Sequence, residues 1–252
     1  MAFTIAVAGK GGVGKTTFCA LLIRWLAENK KTPILAVDAD PNSNLAETLG
    51  IVPEGGSISE IISKTKEPEG IPENMSQDEF ISYKLNSSLT ETEHVDIISM
   101  GGPEGPGCYC FPNNVMKKHL QKLISNYRVV VMDNEAGMEH ISRGTTTENV
   151  DALFILSDTS RRSLRSANRV YELTKELRVP IKETFLVLAR GKDGDQEKIK
   201  DEMCLPAAGM IPEDELLSEY ELVGKALYDL PGESAAVAAA FDIAEKTLDK
   251  PF

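Results

Sequence analysis

The chain has 252 residues, 42% of them hydrophobic, and its 27 lysines and arginines against 39 aspartates and glutamates leave a formal net charge of −12. That length suits one large α/β domain, and the apolar share is enough to fill a sizeable core. So acidic a surface repels phosphate backbones and anionic lipid, which counts against nucleic acid and membranes as partners while leaving room for a local basic patch.

The opening MAFTIAVAG is apolar. With no positive segment before it, it reads as a buried strand, Phe3–Ala8, rather than a secretory signal. A helix over Thr16–Asn29 and a strand over Ile34–Val37 follow. Residues 53–93 are polar and acidic, and are expected to form short helices and loops inserted between two strands. Strand Val95–Met100, helix Asn114–Ser125 and strands Val129–Met132 and Ala152–Leu156 come next. Helix Ser160–Leu177, strands Thr184–Leu188 and Ala207–Ile211, and helix Glu233–Leu248 complete the series. Continuous apolar strands alternating with helices predict a doubly wound α/β fold, with a mainly parallel sheet and helices on both faces. Ligands of such sheets sit beyond the carboxyl ends of the strands. No internal repeat or linker divides residues 1–252, so a single domain is expected. No run reaches the roughly 18 apolar residues of a membrane span. The last helix lacks the basic face of a surface anchor. A cytoplasmic protein is expected.

The segment AVAGKGGVGKTT contains G-x-x-x-x-G-K-[ST] as Gly9, Gly14, Lys15 and Thr16. A chance match in a chain this long is on the order of one in a hundred. The loop also begins where an apolar strand stops and ends where an apolar helix starts. Small residues at Gly9, Gly11, Gly12, Val13 and Gly14 let backbone N–H groups converge on phosphate, and the helix beginning near Lys15 adds its positive end. Lys15 is expected on the β- and γ-phosphates of ATP and the β-phosphate of ADP, the Thr16 hydroxyl on Mg²⁺, and Thr17 beside them.

Lys10 sits directly after the first glycine. The run K-G-G-V-G-K-T-T resembles the deviant phosphate loop of the family that holds MinD, ParA, the arsenite-pump ATPase and the nitrogenase iron protein. The resemblance implies a homodimer in which Lys10 reaches the partner's nucleotide. It also implies roles for D-A-D-P, Asp38 to Pro41, and for D-N-E-A-G, Asp133 to Gly137. Asp40 would orient the attacking water, Asp38 and Asp133 would help hold Mg²⁺, and Gly137 would end a second switch. Physically, carboxylates at strand ends beside phosphates organise water or metal. The family usually carries Asn near the end of the sixth strand. Here the stretch reads L-V-L-A-R-G, with Ala189 and then Arg190, which is able to stack on a base. The later G-M-I-P resembles the family's adenine-flanking G-x-I-P and points to Pro212.

Four cysteines are present. Cys19 and Cys204 read as structural. Cys108 and Cys110, in GGPEGPGCYCF, lie two apart, so in an extended segment both thiols face one side and grip one ion. Two thiolates are half of a tetrahedral or square-planar set, and a two-fold axis would supply the rest. Zn²⁺, Ni²⁺ and Cu(I) all suit such a site. The ordered set of deviant loop, D-A-D-P, P-E-G-P-G-C-Y-C and D-N-E-A-G-M-E-H-I-S-R-G resembles the CooC/AcsF proteins. These are dimeric ATPases that mature the nickel centres of carbon monoxide dehydrogenase and acetyl-CoA synthase. That resemblance implies nickel, or zinc at the same site, between two subunits, and one of those nickel enzymes as client. An iron–sulfur reductase of the nitrogenase iron protein type needs a second cysteine just after the second switch, and residues 133–149 contain none. A ParA/MinD-like positioning ATPase is the other rival, disfavoured by the acidic charge. His140 beside the second switch reads as a packed or capping residue rather than a ligand, and His94 and His119 have no motif around them.

Overall fold

In a computed structural model of the protein, residues 2–66, 71–101, 114–134, 149–176, 180–192 and 194–248 are described. Seven strands are present among them: β1 (Phe3–Gly9), β2 (Ile34–Ala39), β3 (Asp96–Ser99), β4 (Val129–Asn134), β5 (Val150–Asp158), β6 (Ile181–Gly191) and β7 (Ala207–Pro212). They form one sheet in the order β3-β2-β4-β1-β5-β6-β7, and every pairing between these strands is parallel. The first strand therefore lies in the middle, between β4 and β5.

Parallel strands buried on both faces need apolar residues at successive positions. In β1, Ile5 and Val7 face one core, and Ala6 and Ala8 face the other. In β5, Ala152, Phe154 and Leu156 take the first side, and Leu153 and Ile155 the second. The first core is closed by α1 (Lys15–Glu28), α2 (Leu45–Thr48) and the C-terminal helix, Ala235–Leu248. The second is closed by α3 (Ile58–Lys66), α4 (Gln77–Ser87), α5 (Asn114–Ile124) and α6 (Arg161–Glu176). Two shorter helices follow, α7 (Asp195–Ile199) and α8 (Glu215–Val223), so the C-terminal helix is α9.

Within the 53–93 segment the short helices are α3 and α4. A capping box starts α4: the Ser76 hydroxyl accepts from the Glu79 N–H at 3.3 Å, and the Glu79 carboxylate accepts from the Ser76 N–H at 2.9 Å. Such reciprocal capping satisfies two orphan donors and sets the first turn. Among the described residues one antiparallel bridge joins Thr90 to Ile97 of β3. Cys19 is fully buried in the first core, as a small hydrophobe would be. Cys204, expected to be structural, is exposed instead. No helix among the described residues is long and apolar enough to cross a membrane.

The first core centres on Phe154, which is fully buried. Its ring meets Phe18 of α1 edge-on at 5.3 Å and stacks on Phe185 of β6 at 5.3 Å. Aromatic pairs of this kind add to area burial. Phe154→Ala is expected to lower the unfolding free energy by about 3–5 kcal/mol in denaturant titration. A loss under about 1 kcal/mol would mean that α1 is not anchored through this residue.

Candidate active site

The phosphate loop starts where β1 runs out against β5. Gly9 has a φ of 149°, and a Cβ built there would lie 2.5 Å from the Leu156 carbonyl oxygen of β5. Only glycine allows the loop to leave the sheet at that point. Gly14, with a φ of 95°, caps α1 without any side-chain hydrogen bond. The first-turn N–H groups of α1 are thus left for an anion, with the helix dipole behind them. Lys15 is buried, and its ammonium donates back to the Lys10 carbonyl at 3.4 Å. Lys10 itself is half-buried, as are Thr16 and Thr17, while Val13 is buried in the first core.

Beneath this loop lie two carboxylates. Asp38 at the end of β2 and Asp133 at the end of β4 are direct register partners, and each is only 1% exposed. Asp38 accepts the Asp40 N–H at 3.1 Å on one oxygen and the Leu45 N–H at 2.9 Å on the other. It thereby shapes the turn from β2 into α2. Asp133 accepts the Thr16 hydroxyl at 2.6 Å on one oxygen, while its other oxygen is buried with no hydrogen-bond partner. Burial pushes the Asp38 carboxyl up to about 6, with the Asp133 charge adding and the two N–H bonds opposing. Burial likewise raises Asp133, against the Thr16 hydrogen bond and the Lys15 charge. A hydroxyl and two clustered carboxylates, one of them with an orphaned oxygen, form a hard-oxygen set that fits a hydrated divalent cation such as Mg²⁺.

Two connected hollows open above. The first, about 490 Å³, is lined by Gly11, Gly12, Gly14 to Thr17, Asp40 and Arg190. There Asp40 accepts from both the backbone and the side-chain amide of Asn42 at 2.9 Å, which aims its carboxylate at the rim. The second is a cleft of about 800 Å³ lined by Val13, Ala189, Pro212 and one side of α8. Gly14, Thr17 and Arg190 border both hollows. The fold brings the named residues to two adjoining hollows, with loop residues, Asp40 and Arg190 around the first and Arg190 and Pro212 around the second, while Asp133 lies below the loop through its bond to Thr16 and Asp38 stands beside it.

Two features of the cleft were not foreseen. Arg190 has a left-handed φ of 56° and sits where the β6–β7 register slips between Ala189 and Gly191, so a bulge presents it at the opening. Strained backbone of this kind is held in place by its surroundings and gathers at functional sites. The second is Glu221 of α8, whose carboxylate accepts the Thr17 hydroxyl at 2.8 Å and also lines the cleft. Its helix escaped sequence reasoning, although Asp214 as N-cap and Gly224 just past the end were available signals. Cys108, Cys110, Gly137 and His140 lie outside the described residues. His119 pairs with Asp78 at 3.1 Å, and His94 stacks on Tyr228.

A glycine-rich loop between a central strand and a helix, with a buried lysine, a hydroxyl and strand-end aspartates below it, defines a P-loop nucleotide hydrolase. Residues 4–227 match the family described as the CobQ/CobB/MinD/ParA nucleotide binding domain. The chain belongs to that family and is a P-loop ATPase. It is 42% identical over 253 residues to an uncharacterized ATP-binding protein of Methanocaldococcus jannaschii, covering 98% of this chain and 99% of the relative. It is 34% identical over 185 residues to the carbon monoxide dehydrogenase accessory protein CooC of Rhodospirillum rubrum, covering 69% of each. Among solved structures, the septum site-determining protein MinD of Pyrococcus horikoshii, complexed with Mg-ADP, superposes with a TM-score of 0.72 at 22% identity. That match covers 98% of this chain and 96% of MinD.

The raised Asp38 carboxyl has a signed consequence. Between pH 4 and 6 the folded state keeps a proton that the unfolded chain has released, so stability present below the unfolded value is lost as pH rises through about 6. Measured against Asp38→Asn, which imitates the protonated acid, the metal- and nucleotide-free wild type should lose up to about 3 kcal/mol between pH 4 and pH 7 in denaturant unfolding. A difference that does not change with pH would contradict the assignment.

Proposed function

We propose that the protein is a dimeric ATPase that binds nickel at an intersubunit site formed by Cys108 and Cys110 and couples the ATP cycle to insertion of that metal into carbon monoxide dehydrogenase or acetyl-CoA synthase. The observation that carries this reading is the likeness to CooC, taken together with a C-x-C pair in a chain whose phosphate loop holds a second lysine. Nickel here is cargo, and zinc is the competitor at the same thiolates.

Within each subunit, the N–H groups of the loop and the Lys15 ammonium would hold the β- and γ-phosphates of ATP. Mg²⁺ would be held by the Thr16 hydroxyl with Asp38 and Asp133 behind it, where it would neutralise phosphate charge. Asp40, at the rim of the hollow, would orient the attacking water. Arg190 would lie over the base opposite Pro212, and Glu221 would accept a sugar hydroxyl at the junction of the two hollows. Lys10 would cross to the partner's phosphates, so that turnover needs two subunits. For metal to move, nucleotide and metal must differ in affinity for the open and closed dimers.

Equilibrium dialysis against Ni²⁺ tests the metal site: one ion per two chains is expected, lost in Cys108→Ser/Cys110→Ser. Binding that survives the double substitution would refute it. Lys10→Ala should keep ATP binding while turnover falls by about 10³-fold, the scale of an in-trans cationic finger. Turnover at the wild-type rate would remove Lys10 from the mechanism. Glu221→Ala should weaken ADP by roughly tenfold, about one hydrogen bond to a charged group. Unchanged affinity would leave Glu221 as a tie between α1 and α8.

A further inference from the structure

Among the described residues of this acidic chain, a concentrated basic surface lies on a single helix. Arg161, Arg162, Arg165 and Arg169 of α6 are all exposed. The opposite side of that helix, Ser163, Leu164, Ala167 and Val170, is buried. At 100° per residue the four arginines fall within one quarter or so of the helix circumference, facing directly away from the sheet. From Arg162 to Arg169 the strip is about 10 Å long.

This arrangement works against the stability of the helix. Arg161–Arg165 and Arg165–Arg169 are like charges at i, i+4, and Arg162–Arg165 are like charges at i, i+3, spacings at which like charges repel. Arg161 and Arg162 also stand in the first turn, where the helix dipole favours acids, and α6 has no acid there. The first turn of α4 by contrast carries Asp78 and Glu79. Among the described residues only Arg161 of the four has an ion pair, its Nε donating to Glu202 at 2.9 Å. The platform is nonetheless firmly seated, since the Asn168 side chain of α6 donates to the Glu202 carbonyl at 2.8 Å and accepts the Cys204 N–H at 3.1 Å.

We propose that the arginine face of α6 is a docking surface for an acidic face of another protein, whose carboxylates would be taken by Arg162, Arg165 and Arg169. Guanidinium groups bind carboxylates side-on or in a fork, and Arg161 already holds one carboxylate through a single Nε contact to Glu202. A strip about 10 Å long matches carboxylates at i, i+3 and i+7 on a partner helix. A nucleic acid is the poorer occupant. Few phosphates fit so short a strip, and the remainder of a molecule with net charge −12 repels the backbone on either side. The proposal is independent of the nickel reading, because it uses no residue of the phosphate loop or the cysteine pair.

The test is fluorescence anisotropy with full-length protein and a labelled alanine-based helical peptide bearing glutamates at i, i+3 and i+7. A duplex DNA of equal charge is run in parallel. Saturable peptide binding is expected, weakening with salt and falling at least about tenfold in Arg162→Gln/Arg165→Gln/Arg169→Gln. ATP turnover in the triple variant should match wild type and thereby report that it is folded. Equal peptide binding by both proteins, no saturable binding by wild type, or tighter binding of the DNA than of the peptide would each overturn the proposal.

Discussion

Two carboxylates held side by side out of water, at the ends of neighbouring strands, are the constraint around which this molecule is arranged. Asp38 and Asp133 share a register position on β2 and β4 and are almost wholly inaccessible. Two like charges so placed are costly unless they are protonated or answered by positive charge. The chain itself answers in part: two backbone N–H groups on Asp38, one hydroxyl on Asp133, and the buried Lys15 close by. The second oxygen of Asp133 is buried with no hydrogen-bond partner. A divalent cation bound with a nucleotide would supply that charge, which is the role proposed for Mg²⁺ beside this pair.

The remainder of the fold serves this pair. Placing β1 between β4 and β5 starts the phosphate loop beside the end of β4 that carries Asp133, and the Gly9 backbone passes closer to Leu156 than any side chain allows. Asp38 does structural work as well, because its two N–H partners fix the turn that carries Asp40 to the rim. The far wall comes from distant sequence: the bulge at Arg190, Pro212 at the end of β7, and α8, whose Glu221 is tied to Thr17. Phosphate loop, carboxylate pair and neighbouring cleft are thus contributed by five strands, and among the described residues they are joined by short, specific contacts.

Much of this was legible in the sequence, for identifiable reasons. The strands are continuous apolar runs, so all seven were located, each within a few residues of its ends. Phosphate-site residues announce themselves because glycines, a lysine and a hydroxyl must occur at fixed spacing in one short segment, and the aspartates stand where apolar strands stop. What was not legible depends on contacts distant along the chain. Glu221 meets Thr17 across 204 positions, and nothing local to either residue names the other. The slip in register that exposes Arg190 belongs to the β6–β7 pair and not to either strand alone. Helix α8 was hidden for a different reason: short and half-exposed, with no fully buried residue, it lacks the apolar stripe by which helices are recognised. The acidic total charge likewise concealed the arginine face of α6, since a sum over the chain says nothing about where the charges lie.

The most direct measurement is the proton balance of nucleotide binding. Calorimetric titration of Mg-ADP into the protein at pH 6, repeated in buffers of different ionisation enthalpy, counts the protons exchanged. With Asp38 half protonated in the empty site, binding should release about half a proton more from wild type than from Asp38→Asn. Identical proton counts for the two proteins, or proton uptake by wild type, would contradict the view that a buried carboxylate pair waits for the cation.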